Sequence, residues 1–149
     1  MNPPHISYRA AVANDARGMI DVHYAAVRAI GHEHYPDDVL SAWSPPPNAA
    51  RCDWLADLIN RDSTLCRVAV SASDAIMGFC IVLPEQALLM ALYVHPACNG
   101  HGIGRELLQQ VEARCRELGV AALELNASYN AEAFYRRCGY EALGPVVQP

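Results

Sequence analysis

Apolar residues follow two rhythms along this chain. In NDARGMIDVHYAAVRAIG they recur at Met19, Val22, Ala26 and Ile30, the spacing of one helix face. Asn14 or Asp15 can cap that helix and Gly31 can end it. YPDDVLSAW reads as a second, short helix with Pro36 in its first turn. Beyond the break SPPP (Ser44–Pro47), NAARCDWLADLIN reads as a third, with Asn48 as a cap. The clearest helix is Gly102 to Leu118. Its apolar stripe is Ile103, Leu107, Val111, Cys115 and Leu118, while Arg105, Glu106, Gln109, Glu112, Arg116 and Glu117 face outward and Gly119 closes it. NAEAFYRRCG is a last short helix, with Asn130 as cap and Gly139 as stop.

The second rhythm is that of strands. ISYRA (Ile6–Ala10) reads as a short opening strand. TLCRVAVS and AIMGFCIVL, separated by the polar turn SASD, carry an antiparallel hairpin signal. QALLMALYV is apolar on both faces and is predicted to be a central strand. VAALELN is a further strand, and YEALGPVVQ a terminal strand or two. The order β-α-α-α-β-β-β-α-β-α-β predicts an α/β (α+β) fold in which helices cover a mixed sheet. No internal repeat interrupts it, so residues 1–149 are expected to form a single domain.

Composition narrows the function. With 149 residues, 52% hydrophobic and 18% charged, a soluble globular domain is expected. The longest apolar run, ALLMALYV (Ala87–Val94), is too short to span a bilayer, and MNPPHISYRA lacks a basic start followed by an apolar core. A cytoplasmic protein with no membrane partner is expected. None of the six cysteines forms a C-x-x-C pair, and most lie among apolar neighbours, as buried free thiols do. The net charge is −5, and all eleven basic residues are arginine. That balance argues against nucleic acid as a partner. The absence of lysine excludes Schiff-base chemistry, and any anion must be held by Arg, His or a neutral donor.

The candidate chemistry sits in HPACNGHGIGREL, His95 to Leu107. Gly100, Gly102 and Gly104 fall between a strand and a helix. A loop there can aim backbone N–H groups into one concavity, and the helix start adds unpaired N–H groups and partial positive charge. The residues suit a pyrophosphate. A P-loop is excluded because it needs a lysine, and the G-x-G-x-G run is not the dinucleotide fingerprint. His95, Cys98 and His101 have zinc-like identities, but a fourth ligand is not evident and no metal is expected. His32 and His34 in GHEHY read as a polar loop rather than a ligand pair.

Taken together, LYVHPACNGHGIGRELL and NASYNAEAFYRRCGY resemble the GNAT superfamily of N-acetyltransferases, most specifically over Leu92 to Tyr140. That family carries [Gln/Arg]-x-x-Gly-x-[Gly/Ala] at the start of its pyrophosphate-binding helix; here Asn99 replaces the Gln or Arg. The resemblance implies a mostly antiparallel central sheet and acetyl-CoA as cosubstrate. It implies that the main chain of Leu92, Tyr93 and Val94 pairs with the pantetheine arm, with the Val94 N–H aimed at the thioester carbonyl. It places the pyrophosphate on Gly100, His101, Gly102, Ile103, Gly104 and Arg105, with Asn99 as a further cofactor-binding candidate and Arg136 and Arg137 as further nearby cations. Asn130 would lie beside the pantetheine or adenosine part.

It also implies that Tyr135 is the general acid for the departing thiolate. Glu124, on the strand expected to flank the acetyl group, is the candidate base, with Tyr93, His95 and Glu85 as rivals. In this family the first helices and their connection line the acceptor pocket, which makes His34, Tyr35 and Trp43 the substrate-binding candidates. The implied function is acetyl transfer to a primary amine of a small molecule or peptide by direct attack, with a homodimer allowed. The alternative is a catalytically silent module of the same fold that binds acyl-CoA or a partner protein.

Overall fold

The computed structural model describes residues 5–30, 35–125 and 131–141. Strand β1 (Ile6–Ala10) is followed by helices α1 (Ala16–Ile30), α2 (Asp37–Trp43) and α3 (Ala49–Ile59). Strands β2 (Leu65–Ser71), β3 (Ile76–Leu83) and β4 (Leu88–Val94) come next, then α4 (Ile103–Glu117) and α5 (Glu132–Arg137). Short 3-10 turns occupy Ala13–Asp15, Pro84–Gln86 and Pro96–Cys98. The strands form an antiparallel sheet in the order β1-β2-β3-β4.

Local chemistry sets the element ends. Asn48 caps α3 by accepting the Arg51 N–H at 2.9 Å, as expected of it. Asp15 instead ties the chain entering α1. Its carboxylate takes the Val12 N–H at 2.8 Å and both guanidinium nitrogens of Arg9, at 2.7 and 2.9 Å. The Arg9 bond holds the Asp15 carboxyl below its ordinary range. Leu118, predicted to belong to the α4 stripe, lies past the helix end and is exposed.

Side chains alternate across the sheet and build two cores. On one face, Met19, Ile20 and Val22 of α1 and Leu55 and Leu58 of α3 cover Cys66, Val68, Val70, Phe79 and Ile81. On the other, Ile103, Leu107, Leu108, Val111 and Cys115 of α4 cover Ala69, Cys80, Val82 and Leu89. All six cysteines are free thiols, four of them buried. Gly78 sits where α4 comes closest. A Cβ there would lie 3.1 Å from the Tyr93 carbonyl oxygen and 3.3 Å from both Ile103 Cγ2 and Leu107 Cδ1.

Among the described residues β4 ends the four-strand order, and its far side is met at a parallel bridge between Leu88 and Glu124. VAALELN contributes that bridge and, among the described residues, no longer strand. Among the described residues nothing pairs with this side of β4 beyond the bridge, which leaves it open there toward its C-terminal end. YEALGPVVQ, expected as a terminal strand or two, falls mainly outside the described residues.

Candidate active site

A bulge in β4 governs what that open side presents. The register with β3 shifts between Ile81–Ala91 and Val82–Leu89, which leaves Met90 as the extra residue. Before the bulge, the Leu89 N–H and the Ala87 carbonyl bond to Glu124, at 2.9 and 2.8 Å, on the side away from β3. After it, the His95 N–H bonds the Met77 carbonyl of β3 at 2.7 Å. Main-chain groups alternate sides along a strand. The Tyr93 carbonyl therefore points at β3, in agreement with its approach to Gly78, and the N–H and C=O of Leu92 and Val94 point to the open side. The expected Val94 donor is thus directed away from the sheet.

Beside this edge lies a cleft of about 450 Å³. Its walls are Leu92 and Val94, the loop residues Cys98, Asn99, Gly100 and Gly102, the first turn of α4 (Ile103, Gly104, Arg105), and Ala131, Phe134, Tyr135, Arg137 and Cys138. Gly100 and Gly102 have φ of +84° and +75°, the left-handed region that favours glycine. Nothing stands within 4 Å of a Cβ built on either. The first bond within α4 runs from the Glu106 N–H to the Gly102 carbonyl at 3.0 Å, so the N–H groups of Ile103, Gly104 and Arg105 have no acceptor within the helix. A Cβ built on Gly104 would stand at ordinary contact distance from Phe134 and Val94. The loop, the strand end and α5 therefore meet at one place, and the donor set suits a diphosphate anion.

Tyr135 lies at the α5 side of the cleft, held edge-on between Phe134 (5.3 Å) and Tyr140 (5.8 Å). Tyr140 is fixed in turn, its hydroxyl donating to Glu112 of α4 at 2.8 Å. Burial, with smaller contributions from Cys80, Tyr93 and Cys138, pushes the Tyr135 phenol above its ordinary value. It stays protonated at neutral pH.

The other expected residues are placed unevenly. Asn99 lines the cleft; His101 is exposed and is not part of its wall. Arg105 and Arg137 reach the cleft, whereas Arg136 pairs with Glu132 at 2.7 Å. The ring of His95 is used locally, Nδ1 accepting the Ala97 N–H at 3.1 Å. Glu85 lies in the turn before β4. Glu124 is exposed and sits opposite Leu88, four residues before Leu92. At about 3.3 Å per residue this puts its backbone roughly 13 Å from Leu92 and farther from Val94, beyond direct reach of a group held at the strand end. Tyr35 is only 5% exposed and packs on Val27 and Leu40, as core does. His34 and Asn130 lie outside the described residues.

Sequence reasoning missed the opposite face of β4. Leu92 and Val94 face the cleft, so Tyr93 projects the other way, between α1 and α2. There the Trp43 Nε1–H donates to the Tyr93 hydroxyl at 3.0 Å, and the His23 ring meets the Tyr93 ring edge-on at 4.4 Å. His23 Nδ1 lies 2.7 Å from the Oγ of fully buried Ser44, and Arg51 Nη2 lies 3.4 Å from each. Guanidinium only donates, so Nδ1 is the acceptor and the neutral ring carries its proton on Nε2. Nothing in the local sequence marks this node, because its members come from α1, α2, α3 and β4.

Burial, and then the charge of Arg51, lower the His23 pKa from 6.5 to about 4. Above pH 6.5 the ring is neutral whether folded or unfolded, and stability does not depend on it. Between 6.5 and about 4 only the unfolded chain binds the proton, so stability falls as pH falls. At about 1.4 kcal/mol per tenfold in proton affinity, the loss is on the order of 3 kcal/mol. Urea unfolding at pH 7 and pH 4.5 checks this: His23→Gln should lose markedly less stability across that interval than the wild type.

Comparison with known proteins agrees with this geometry. Residues 48–148 match the family described as acetyltransferase (GNAT) domain. No curated protein sequence matches the chain. Among solved structures, the chain is similar to the PaiA N-acetyltransferase from Thermoplasma acidophilum in complex with coenzyme A. The identity is 20%, over 89% of this chain and 87% of that one, and the TM-score is 0.77. It is similar to a GCN5-related N-acetyltransferase from Ralstonia eutropha JMP134, with 22% identity, 97% and 98% coverage and a TM-score of 0.73. Another, from Rhodopseudomonas palustris, shares 23% identity over 92% of this chain and 81% of its own, with a TM-score of 0.73. At these identities the solved structures attest the fold, while the family match covers about two thirds of the chain together with the strand end, glycine loop and Tyr135 that form the cleft: the chain belongs to the GNAT family of acetyltransferases.

Proposed function

We propose that this protein transfers an acetyl group from acetyl-CoA to a primary amine of a small molecule or peptide by direct attack. The single observation that carries the reading is that the open main-chain edge at Leu92–Val94, the glycine loop and the Tyr135 side chain border one cleft. In this reading the pyrophosphate rests on the loop and first turn of α4, from Asn99 to Arg105, and the pantetheine arm lies along the edge of β4 like an added strand. The amine nitrogen attacks the thioester carbon, and the Val94 N–H stabilises the oxyanion that forms. The C–S bond then breaks, and the thiolate receives a proton from the Tyr135 hydroxyl. Glu124 makes no direct contact in this scheme; the amine loses its surplus proton to water.

The test is a panel of amines incubated with protein and acetyl-CoA, with free thiol release as the readout and thermal stabilisation by acetyl-CoA alongside. Thiol release dependent on one or more primary amines is expected. Stabilisation without turnover on any amine would favour the silent binding module instead. No stabilisation at all would remove the basis of both.

A further inference from the structure

We propose that the Tyr93 hydroxyl, oriented by the indole N–H of Trp43, holds the acceptor amine on the face of β4 opposite the cofactor cleft. This inference rests on the catalytic reading above. Strand geometry supplies its first support. Residue 93 lies between the two residues whose main chain points to the open edge, and its side chain leaves the sheet on the side that the cofactor cleft does not occupy. An amine approaching the thioester from that side meets this phenol.

The second support is the way the phenol is held. Trp43 Nε1–H only donates, so at 3.0 Å it takes one lone pair of the Tyr93 oxygen. Among the described residues no second donor reaches that oxygen, so its other lone pair can accept an N–H from an amine, which would turn the nitrogen's own lone pair away from Tyr93 and toward the carbonyl. His23 at 4.4 Å and Phe79 at 5.7 Å brace the ring.

The third support is that the end of α2 is fixed more firmly than a seven-residue helix needs. Arg28 donates to the Leu40 and Ser44 carbonyls at 3.1 and 3.0 Å. Arg51 donates to the Pro45 carbonyl, and its second nitrogen faces the Ser44–His23 pair. These bonds from α1 and α3 converge on the residues that carry and follow Trp43. Trp43 is accordingly a positioning residue, and Tyr93 is the residue that touches the substrate. Both residues are half-buried.

The experiment is a double-mutant cycle with Tyr93→Phe and Trp43→Phe, using an amine that the wild type acetylates. Each substitution keeps a ring and removes one hydrogen-bonding group. Each single variant should raise the amine KM about tenfold, the worth of one hydrogen bond. The acetyl-CoA KM should stay within about twofold, because the β4 main chain is unaltered. The double variant should be no worse than Tyr93→Phe, because Trp43 acts through Tyr93. Unchanged amine kinetics in Tyr93→Phe, an acetyl-CoA KM that rises instead, or single effects that multiply in the double variant would overturn the proposal. If the wild type acetylates no amine while binding acetyl-CoA, the catalytic reading falls and takes this inference with it. If it does acetylate and Tyr93→Phe is silent, only this inference falls.

Discussion

Tyr135→Phe should bind acetyl-CoA as the wild type does and turn over about 10²-fold more slowly. The substitution keeps the ring that packs edge-on against Phe134 and Tyr140, so the cleft wall survives. What it removes is a proton donor that burial holds in its protonated form above the ordinary range. Without it the thiolate must leave unprotonated or take its proton from water. The loss should fall on kcat, with the acetyl-CoA KM nearly unchanged, because the proton is needed only as the C–S bond breaks. The wild-type pH profile should show no alkaline loss of activity from Tyr135 up to about pH 10, the ordinary phenol value. Steady-state kinetics with both substrates varied, beside acetyl-CoA binding by calorimetry, checks the split. A kcat within twofold of the wild type would remove Tyr135 from the chemistry.

The second large effect is expected from Gly78→Val, outside the cleft. A Cβ at residue 78 already stands 3.1 Å from the Tyr93 carbonyl oxygen and 3.3 Å from Ile103 and Leu107. Valine adds two more methyl carbons, and overpacking of this kind costs about 1–3 kcal/mol. The functional loss should be larger than the stability loss suggests. The Tyr93 carbonyl and the Val94 N–H belong to one peptide unit, and Ile103 opens the helix whose first turn borders the cleft. Pushing on both shifts the Val94 N–H, the proposed oxyanion donor, and the glycine loop together. Misplacement by about 1 Å can cost about 10²-fold, so kcat/KM for acetyl-CoA should fall by that order at a temperature where the variant is fully folded. Gly78→Ala should show a smaller loss in the same parameter. A lower melting temperature with kcat/KM intact would make Gly78 a packing residue only.

Gly78 also marks the limit of sequence reading. In MGFCIVL it is a glycine inside an apolar strand, which signals close approach by another backbone or element but does not say which. The glycine loop was legible for the opposite reason. Its geometry is local, because left-handed φ at Gly100 and Gly102 and a helix start are properties of consecutive residues. Tyr135 was legible through motif resemblance, and the cleft places it beside the loop. The place of Glu124 was not legible, because alternation along LEL predicts a face but not a position along the neighbouring strand. The bridge to Leu88 sets that position, and it is a long-range contact. Tyr35 was a substrate-binding candidate in YPDDVLSAW; the packing of α1 against α2 buries it.

By itself, then, the sequence determined the helices and the first strands, the glycine cradle at the start of α4, the exclusion of lysine chemistry and the family resemblance. These rest on periodicity, composition and short-range spacing, which are readable without knowing which segments meet. Only the tertiary structure decided that β4 bulges at Met90 and keeps an open side, that Leu92 and Val94 turn their main chain to it, and that Tyr93 meets Trp43 and His23 behind it. Register and cross-element packing depend on contacts between residues far apart in the chain, and one extra residue in a strand reverses which groups face the site.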